Sequence, residues 1–435
     1  MAERKFFGTD GVRGPVGDLL TPDLAVRLGR AAALQAEAER PQVLIVRDTR
    51  ESGPMLEEAL AAGIAAGGGD AMLAGVLPTP AASVLARRLS FDLAAVVSAS
   101  HNPFADNGIK FFNSRGTKLD DDAELQIEGL LDEETGERVG GVRSLEGAFD
   151  DYIRELRTSF QLDLSGMKVA VDCANGATFR AAPVIFGALG ADLVLTAAEP
   201  DGRNINADCG STHPEGLIEA VRSSGAHIGF AYDGDGDRVL AVDGNGRLHD
   251  GDDLIALIAL DLQKRGELEG GVAVTVMTNY GFMTTMEEAG IEVVQTQVGD
   301  RYVIEQLIQR DWALGGEQSG HIVWTDFTPT GDGIAASLLV LRALAGRRLE
   351  DVEPFERLPQ RLENVRVKDR AAIGGATEVW AAVDEENAKL EGRGRVLVRP
   401  SGTEPLVRVM VEAPDEAECD AICNRLVDLV QRELA

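Results

Sequence analysis

One alternation of apolar and polar positions recurs along the chain: an apolar run, a polar loop, a stretch with helical spacing, a glycine, and a second apolar run. The first copy is "VLIVRDTRESGPMLEEALAAGIAAGGGDAMLAGV" (Val43–Val76), the second "KVAVDCANGATFRAAPVIFGALGADLVLT" (Lys168–Thr196), and the third "GVAVTVMTNYGFMTTMEEAGIEVVQT" (Gly271–Thr296). Near-continuous Val, Ile and Leu runs suit strands buried on both faces, as in parallel sheets covered by helices. The glycines of "LGAD" and "AGIE" fit left-handed caps that close the helices. Three copies, each about a hundred residues from the next, predict three related α/β domains.

Between these units, "LEGAFDDYIRELRTSF" (Leu145–Phe160) predicts a linking helix. A second boundary is expected near Asp250–Leu254, after "GNGRLHDGDD". A third is expected within "PFERLPQRLENVRV" (Pro354–Val367), where two prolines and several charges break the pattern. Beyond it, "GRVLVRPSGTEPLVRVMVEA" (Gly394–Ala413) reads as two strands around a loop, and "DEAECDAICNRLVDLVQREL" as an amphipathic helix. The expected domains are residues 1–153, 154–252 and 253–363, each α/β with helices covering a mixed sheet, and a smaller α+β domain, 364–435.

Composition narrows the class of function. A chain of 435 residues exceeds one ordinary domain, and 44% hydrophobic with 26% charged residues describes a soluble globular protein. The start "MAERKFFGTDG" lacks the apolar core of a signal peptide, and no apolar run approaches the ~18 residues that span a bilayer. Net charge is −30, from 42 basic and 72 acidic residues, so nucleic acid and anionic membranes are poor partners. Four cysteines, Cys173, Cys209, Cys419 and Cys423, form no C-x-x-C pair; reduced thiols in a cytoplasmic protein are expected.

In open α/β sheets ligands bind outside the carboxyl ends of strands, so polar loops that follow apolar runs carry the candidate chemistry. In "GFAYDGDGDRVLAVDG", Asp233, Asp235 and Asp237 alternate with glycine, and their carboxylates can converge on one hard cation. A plain Gly/Asp turn is the alternative. An EF-hand counted from Asp233 would need glycine at the sixth position and glutamate at the twelfth; these are Arg238 and Gly244. Three carboxylates with open coordination positions suit Mg2+ shared with a phosphate oxygen, and Arg238 stands beside them.

"VVSASHNPFADNGIKFF" (Val96–Phe112) sets Ser100 and His101 directly after an apolar run. No G-x-S-x-G elbow occurs, and a neighbouring histidine is rarely oriented as a base toward the preceding side chain. A serine-capped turn is the alternative; a phosphorylated Ser100 against the aspartate-bound metal explains more, because the metal would make the seryl oxygen both leaving group and nucleophile. "VLVRPSGTEPLVRVMV" supplies Arg399, Ser401, Gly402, Thr403 and Arg408, the makings of a phosphate cradle, while a Walker A motif is excluded because Gly-Lys is absent. "WALGGEQSGHIVW" offers Glu317 and Ser319, at a spacing that lets both meet a polyol, together with His321. His213, His227 and His249 have no zinc-ligand spacing.

"SASHNP", "DGDGDR", "GEQSGH" and "RPSGTEP", in this order and over nearly the whole chain, resemble the α-D-phosphohexomutase superfamily. "FGTDGVRG" (Phe7–Gly14), "NINADCGSTHPEGL" and "VGDRYV" (Val298–Val303) are similar to its bacterial phosphoglucosamine mutase branch. The resemblance implies four domains around a central cleft and a phosphoserine at Ser100. It also implies one Mg2+ on that phosphate with Asp233, Asp235 and Asp237. The activity it implies is interconversion of glucosamine 6-phosphate and glucosamine 1-phosphate through a 1,6-bisphosphate, ahead of UDP-N-acetylglucosamine and cell-wall precursors. Glu317 and Ser319 would bind sugar hydroxyls; Arg399, Ser401, Gly402, Thr403 and Arg408 would hold the non-reacting phosphate. Lys110, His101, Arg13, Arg238 and His321 would be electrostatic or acid–base helpers. A homodimer is a frequent assembly of the family, and a C-terminal domain that hinges is expected. Three rivals remain open at this point: a phosphomannomutase/phosphoglucomutase, a metal-dependent phosphatase, and a non-catalytic sugar-phosphate sensor.

Overall fold

The computed structural model describes residues 5–8, 10–133, 138–401 and 405–434. Four sheets follow one another along the chain. The first has the order Val12–Pro15, Asp106–Asn113, Leu93–Val97, Gln42–Arg47, Asp70–Val76, Val142–Ser144. The second runs Leu248–His249, Val239–Asp243, Ile228–Tyr232, Lys168–Asp172, Asp192–Thr196, and the third Val293–Thr296, Val272–Thr275, Leu314–Gly316, Ile322–Trp324, Thr328–Gly331. The fourth is antiparallel: Gln360–Arg366, Leu406–Glu412, Arg395–Pro400. By internal contacts the chain forms two compact units, Met1–Val276 with Val294–Val352, and Met277–Val293 with Glu353–Ala435.

Each recurring segment of the sequence is a strand, a helix and a second strand adjacent in its sheet: Gln42–Arg47, Gly53–Ala66 and Asp70–Val76; Lys168–Asp172, Ala181–Ala188 and Asp192–Thr196; Val272–Thr275, Tyr280–Glu288 and Val293–Thr296. The sheets are mixed, and the switch in direction falls at one equivalent place in all three. Leu93–Val97 pairs parallel with Gln42–Arg47 but antiparallel with Asp106–Asn113. Ile228–Tyr232 does the same between Lys168–Asp172 and Val239–Asp243, and Leu314–Gly316 between Val272–Thr275 and Ile322–Trp324. The connection across that switch is a short reversal at the carboxyl end of a buried strand. It carries Ser100 in the first sheet, the three aspartates in the second, and Glu317 in the third.

These strands are held rigidly. Ala95 and Val97 face a core shared with Val43, Ile45, Leu28, Leu60 and Ile64, and each large apolar side chain so buried contributes roughly 1.5–3 kcal/mol. The linking helix spans Ala148–Ser159, with Tyr152, Ile153 and Leu156 buried. Asp250 caps the helix Gly251–Arg265 with a capping box, so the expected boundary there is a helix start.

Around the third boundary the last unit holds more than the two strands and one helix expected. Gln360–Arg366, inside the segment read as a break, is a full strand of the last sheet, and a helix, Thr377–Leu390, precedes the two expected strands. Gln360–Arg366 lies at the sheet edge with a mostly polar, partly exposed sequence, so the apolar signal of a buried strand is missing. The final helix, Glu416–Leu434, packs Cys419, Cys423, Leu426 and Val430 into that unit's core. All four cysteines are free and buried.

Candidate active site

Ser100 is buried and has φ of 51°, a left-handed conformation uncommon for a non-glycine residue. Its Oγ donates to Asp233 Oδ2 at 2.6 Å. The kinked backbone also brings the His101 ring back, with Nδ1 3.3 Å from Ser100 Oγ. That corrects the expectation that the neighbouring histidine points elsewhere, which holds for extended or helical backbone and not for a left-handed residue. Burial, with Arg238 and Arg13 close by, lowers the basicity of His101, favouring the neutral ring.

Asp233, Asp235 and Asp237 occupy the reversal between Ile228–Tyr232 and Val239–Asp243, and the glycines between them are required by space. A Cβ on Gly234 would lie 2.5 Å from the Ser100 carbonyl oxygen; Gly236 has φ of 75°, and its Cβ would lie 2.5 Å from Thr178 Cγ2. The three carboxylates are buried, and one oxygen of each lies within 4.8 Å of the other two. Asp233 Oδ1 accepts the amides of Gly236 and Arg238. Asp235 Oδ2 accepts Thr79 Oγ1 at 2.6 Å and Lys110 Nζ at 2.8 Å. Among the described residues Asp235 Oδ1 accepts no hydrogen bond, and Asp237 Oδ1 has His321 Nδ1 at 3.6 Å and Arg238 Nε at 3.9 Å.

Such a cluster is not balanced by the protein alone. Burial and the charges of Asp235 and Asp237 push Asp233 well above the usual carboxylate range. Burial opposes ionisation of Asp237 too, but His321, Lys110 and Arg238 outweigh it and hold that carboxyl well below the range. Bare buried oxygens and an excess of negative charge are what a hard divalent cation requires, so these residues fit Mg2+ chemically.

Lys110 alternates with Ile109 and Phe111 along its strand; those two enter the core while Lys110 faces the carboxylates, with Asp237 at 3.7 Å. Burial opposes its charge, but Asp10, Asp235 and Asp237 prevail and raise its pKa. Around this centre a cavity of about 380 Å³ is lined by Arg13, Ser100, His101, Asp237, Arg238, Glu317 and His321, among others. Arg13 pairs with Asp10. Glu317 accepts the Gly299 amide at 3.0 Å on one oxygen. His321 lies between Asp237 and Asp300, each 3.6 Å from one ring nitrogen; both raise its basicity against burial, while the Gly331 amide, donating to Nε2, favours the neutral ring.

Ser319 is not among the residues lining this cavity and is exposed. Residues 317–320 make a turn closed by Gly320 N–H to Glu317 O at 3.0 Å, so the two-residue spacing does not put both side chains on one side as it would in a strand. In the C-terminal unit, Arg399 and Arg408 face one another across adjacent strands. Burial and Arg408 lower the pKa of Arg399, and Arg408 Nε is buried without a hydrogen-bond partner among the described residues. Ser401 is buried beside them in the chain, its carbonyl accepting Arg370 Nη1 at 2.8 Å. Gly402 and Thr403 lie outside the described residues.

Other residues around the site lie outside the motifs read as chemistry. Lys118 bridges Asp10 and Asp300 on the cavity wall. Asp10 and Asp300 stand inside "FGTDGVRG" and "VGDRYV", where nothing but the fold reveals that both meet one lysine. Arg50, fully buried beneath the serine loop, follows a buried strand in "VRDTR", a position where a charge is unusual enough to serve as a signal.

Models of the phosphoglucomutase/phosphomannomutase family match the whole arrangement in order: α/β/α domain I at residues 4–138, domain II at 150–246, domain III at 250–361, and the C-terminal domain at 362–429. The chain is 49% identical over 438 residues to the phosphoglucosamine mutase of Pelotomaculum thermopropionicum, covering 98% of each, and 48% identical over 441 residues to that of Alcanivorax borkumensis, covering 99% of each. Among solved structures, a phosphoglucomutase/phosphomannomutase family protein from Burkholderia thailandensis superposes with a TM-score of 0.85 at 26% identity, over 98% of this chain and 97% of that one. With all four domains matched in order and near-half identity end to end, this chain belongs to the phosphoglucosamine mutase family of the α-D-phosphohexomutases.

Proposed function

We propose that this enzyme, a phosphohexomutase by family, interconverts glucosamine 6-phosphate and glucosamine 1-phosphate by passing a phosphoryl group between Ser100 and the sugar. The intermediate is a hexosamine 1,6-bisphosphate that reorients before its other phosphate returns to the serine. One observation carries the reading: the Ser100 hydroxyl, from one domain, lies 2.6 Å from Asp233 Oδ2, one of three clustered, buried carboxylates delivered by the next.

Asp233, Asp235 and Asp237, with the phosphate on Ser100, would hold Mg2+, which when bound neutralises phosphoryl oxygens and eases their transfer. Lys110 keeps positive charge beside the same oxygens. Arg13 and Arg238 face the cavity and attract the anionic substrate against the chain's overall negative charge. Glu317, with one oxygen held by Gly299, offers the other to a sugar hydroxyl, with Ser319 following in the same loop. His321 and His101 would serve as electrostatic or acid–base helpers, taking and returning the hydroxyl proton. Arg399, Ser401, Gly402, Thr403 and Arg408 hold the phosphate that is not reacting; two guanidinium groups side by side repel one another until an anion joins them. The proposal places the enzyme in the cytoplasm as a homodimer, supplying amino-sugar 1-phosphate toward UDP-N-acetylglucosamine. Nucleic acid and membranes are not partners in it; among the described residues no helix is long and apolar enough to cross a membrane.

The test is turnover of glucosamine, glucose and mannose phosphates with a 1,6-bisphosphate primer and Mg2+. Glucosamine phosphate is expected to turn over fastest without stoichiometric release of inorganic phosphate. Faster mannose phosphate turnover, or phosphate release matching substrate loss, overturns the proposal.

A further inference from the structure

Two side chains from different domains converge on the same pair of carbonyl oxygens behind Ser100. Arg50, after the strand Gln42–Arg47, donates from Nη2 to Ser100 O at 3.0 Å and to Asn102 O at 2.8 Å. Asn206, in "NINADCG" of the second domain, donates from Nδ2 to the same two oxygens at 2.9 and 3.1 Å. Arg50 also reaches the carbonyls of Pro103 and Asp106 through Nη1. Its own position is fixed by Asp48, fully buried, which accepts Arg50 N–H and Nε, both at 2.9 Å. Asp48 Oδ2 further accepts Ser98 Oγ at 2.5 Å, and Ser98 Oγ in turn accepts the Ser100 amide at 3.0 Å. The circuit therefore closes on both sides of Ser100, holding its N–H and its C=O.

We propose that Arg50 and Asn206 form a two-sided clamp that positions Ser100 for phosphoryl transfer. The clamp holds the serine in its left-handed conformation and ties the serine loop to the "NINADCG" loop of the second domain, against which Gly234 of the aspartate loop packs. Neither residue is among those lining the cavity, so both act through the geometry of Ser100 and are positioning residues. Asn206 is itself left-handed, at φ 56°, with its amide bonded to Ala174 O at 2.9 Å, so its side chain is delivered by a fixed backbone. Gly234 packs against the Ser100 carbonyl from the aspartate side, where a Cβ would lie 2.5 Å away. Registry between the two loops thus depends on donors to that one oxygen. A displacement of about 1 Å at a reacting group can cost ~100-fold in rate.

The inference rests on the proposed phosphoserine mechanism, and its test separates the two. Wild type, Asn206→Ala, Asn206→Asp and Arg50→Lys are charged with hexose 1,6-bisphosphate; phosphate on Ser100 is measured by mass spectrometry, kcat and KM on glucosamine 6-phosphate are determined, and thermal unfolding is followed. Asn206→Ala is expected to lower kcat about 10- to 100-fold, with KM within about twofold and a near-unchanged unfolding temperature. Asn206→Asp, equal in shape but without donors and facing two carbonyls, is expected to lose at least as much. Arg50→Lys keeps the charge beside Asp48 but cannot span four carbonyls, and should show the same loss of kcat. Variants of Asn206 with kcat within twofold of wild type overturn the clamp, as does a loss confined to KM. Wild type that turns over without labelling Ser100 overturns the mechanism beneath it instead.

Discussion

Replacing Asp233 by Asn tests how the aspartate cluster is balanced, because the swap keeps shape and puts a neutral amide in place of a buried ionisable carboxyl. Oδ1 of the amide can still accept the Gly236 and Arg238 amides, and Nδ2 can donate to Ser100 Oγ where Asp233 Oδ2 now accepts from it. Without a divalent cation, burial and the neighbouring carboxylates hold Asp233 well above its unfolded pKa, which is about 3.9. The folded state therefore keeps a proton that the unfolded state releases, so this group's stability contribution falls as pH rises above about 4, toward the raised folded pKa. Holding that proton costs about 1.4 kcal/mol for each pH unit between about 4 and the raised folded pKa, a cost the amide does not carry, so metal-free Asp233→Asn should unfold a few degrees above metal-free wild type at neutral pH, with the gap shrinking toward pH 4. Mg2+ should reverse the order. Wild type gains about 2.7 kcal/mol at a hundred times its Kd, whereas the variant should gain little and lose at least about 100-fold in kcat. Thermal unfolding from pH 4 to 8, with Mg2+ and with chelator, reads both effects. A metal-free variant less stable than wild type, or one stabilised by Mg2+ as strongly as wild type, would refute this account of the cluster.

Ser100→Ala should abolish turnover and take up no phosphate from a bisphosphate, while its circular dichroism matches wild type. Gly234→Ala sets a methyl 2.5 Å from the Ser100 carbonyl and 2.7 Å from Asn206 Nδ2; about 1–3 kcal/mol of stability and roughly 100-fold in kcat should be lost, measured by unfolding and steady-state kinetics. Arg408→Lys keeps the charge facing Arg399 but loses the planar fork, so KM for the sugar phosphate should rise about tenfold, at about 1.4 kcal/mol, with kcat changed less; an unchanged KM would remove Arg408 from the phosphate cradle.

What could be read in the chain and what could not divide along physical lines. The three aspartates, the Ser100 loop and Glu317 are legible because each follows a buried apolar strand, and the strand delivers the loop with little freedom. The recurring strand–helix–strand units are legible for the same reason. The Asp10–Lys118–Asp300 bridge is not, because its members come from three separate segments and each is an ordinary surface charge in isolation. His101 turns toward Ser100 only because Ser100 is left-handed, a conformation that no glycine or asparagine at that position announces. Ser319 fails the spacing rule because a tight turn replaces the extended backbone on which that rule depends. Gln360–Arg366 escapes because an edge strand needs no apolar face on its open side.

The claim on which the account depends is that Ser100 stores the phosphoryl group between turnovers. Enzyme charged with glucosamine 1,6-bisphosphate carrying labelled phosphate should hold the label on the peptide containing Ser100, and unlabelled glucosamine 6-phosphate should discharge it no more slowly than kcat. Turnover at the full rate with that peptide unlabelled, or a label that discharges far more slowly than kcat, would contradict the claim.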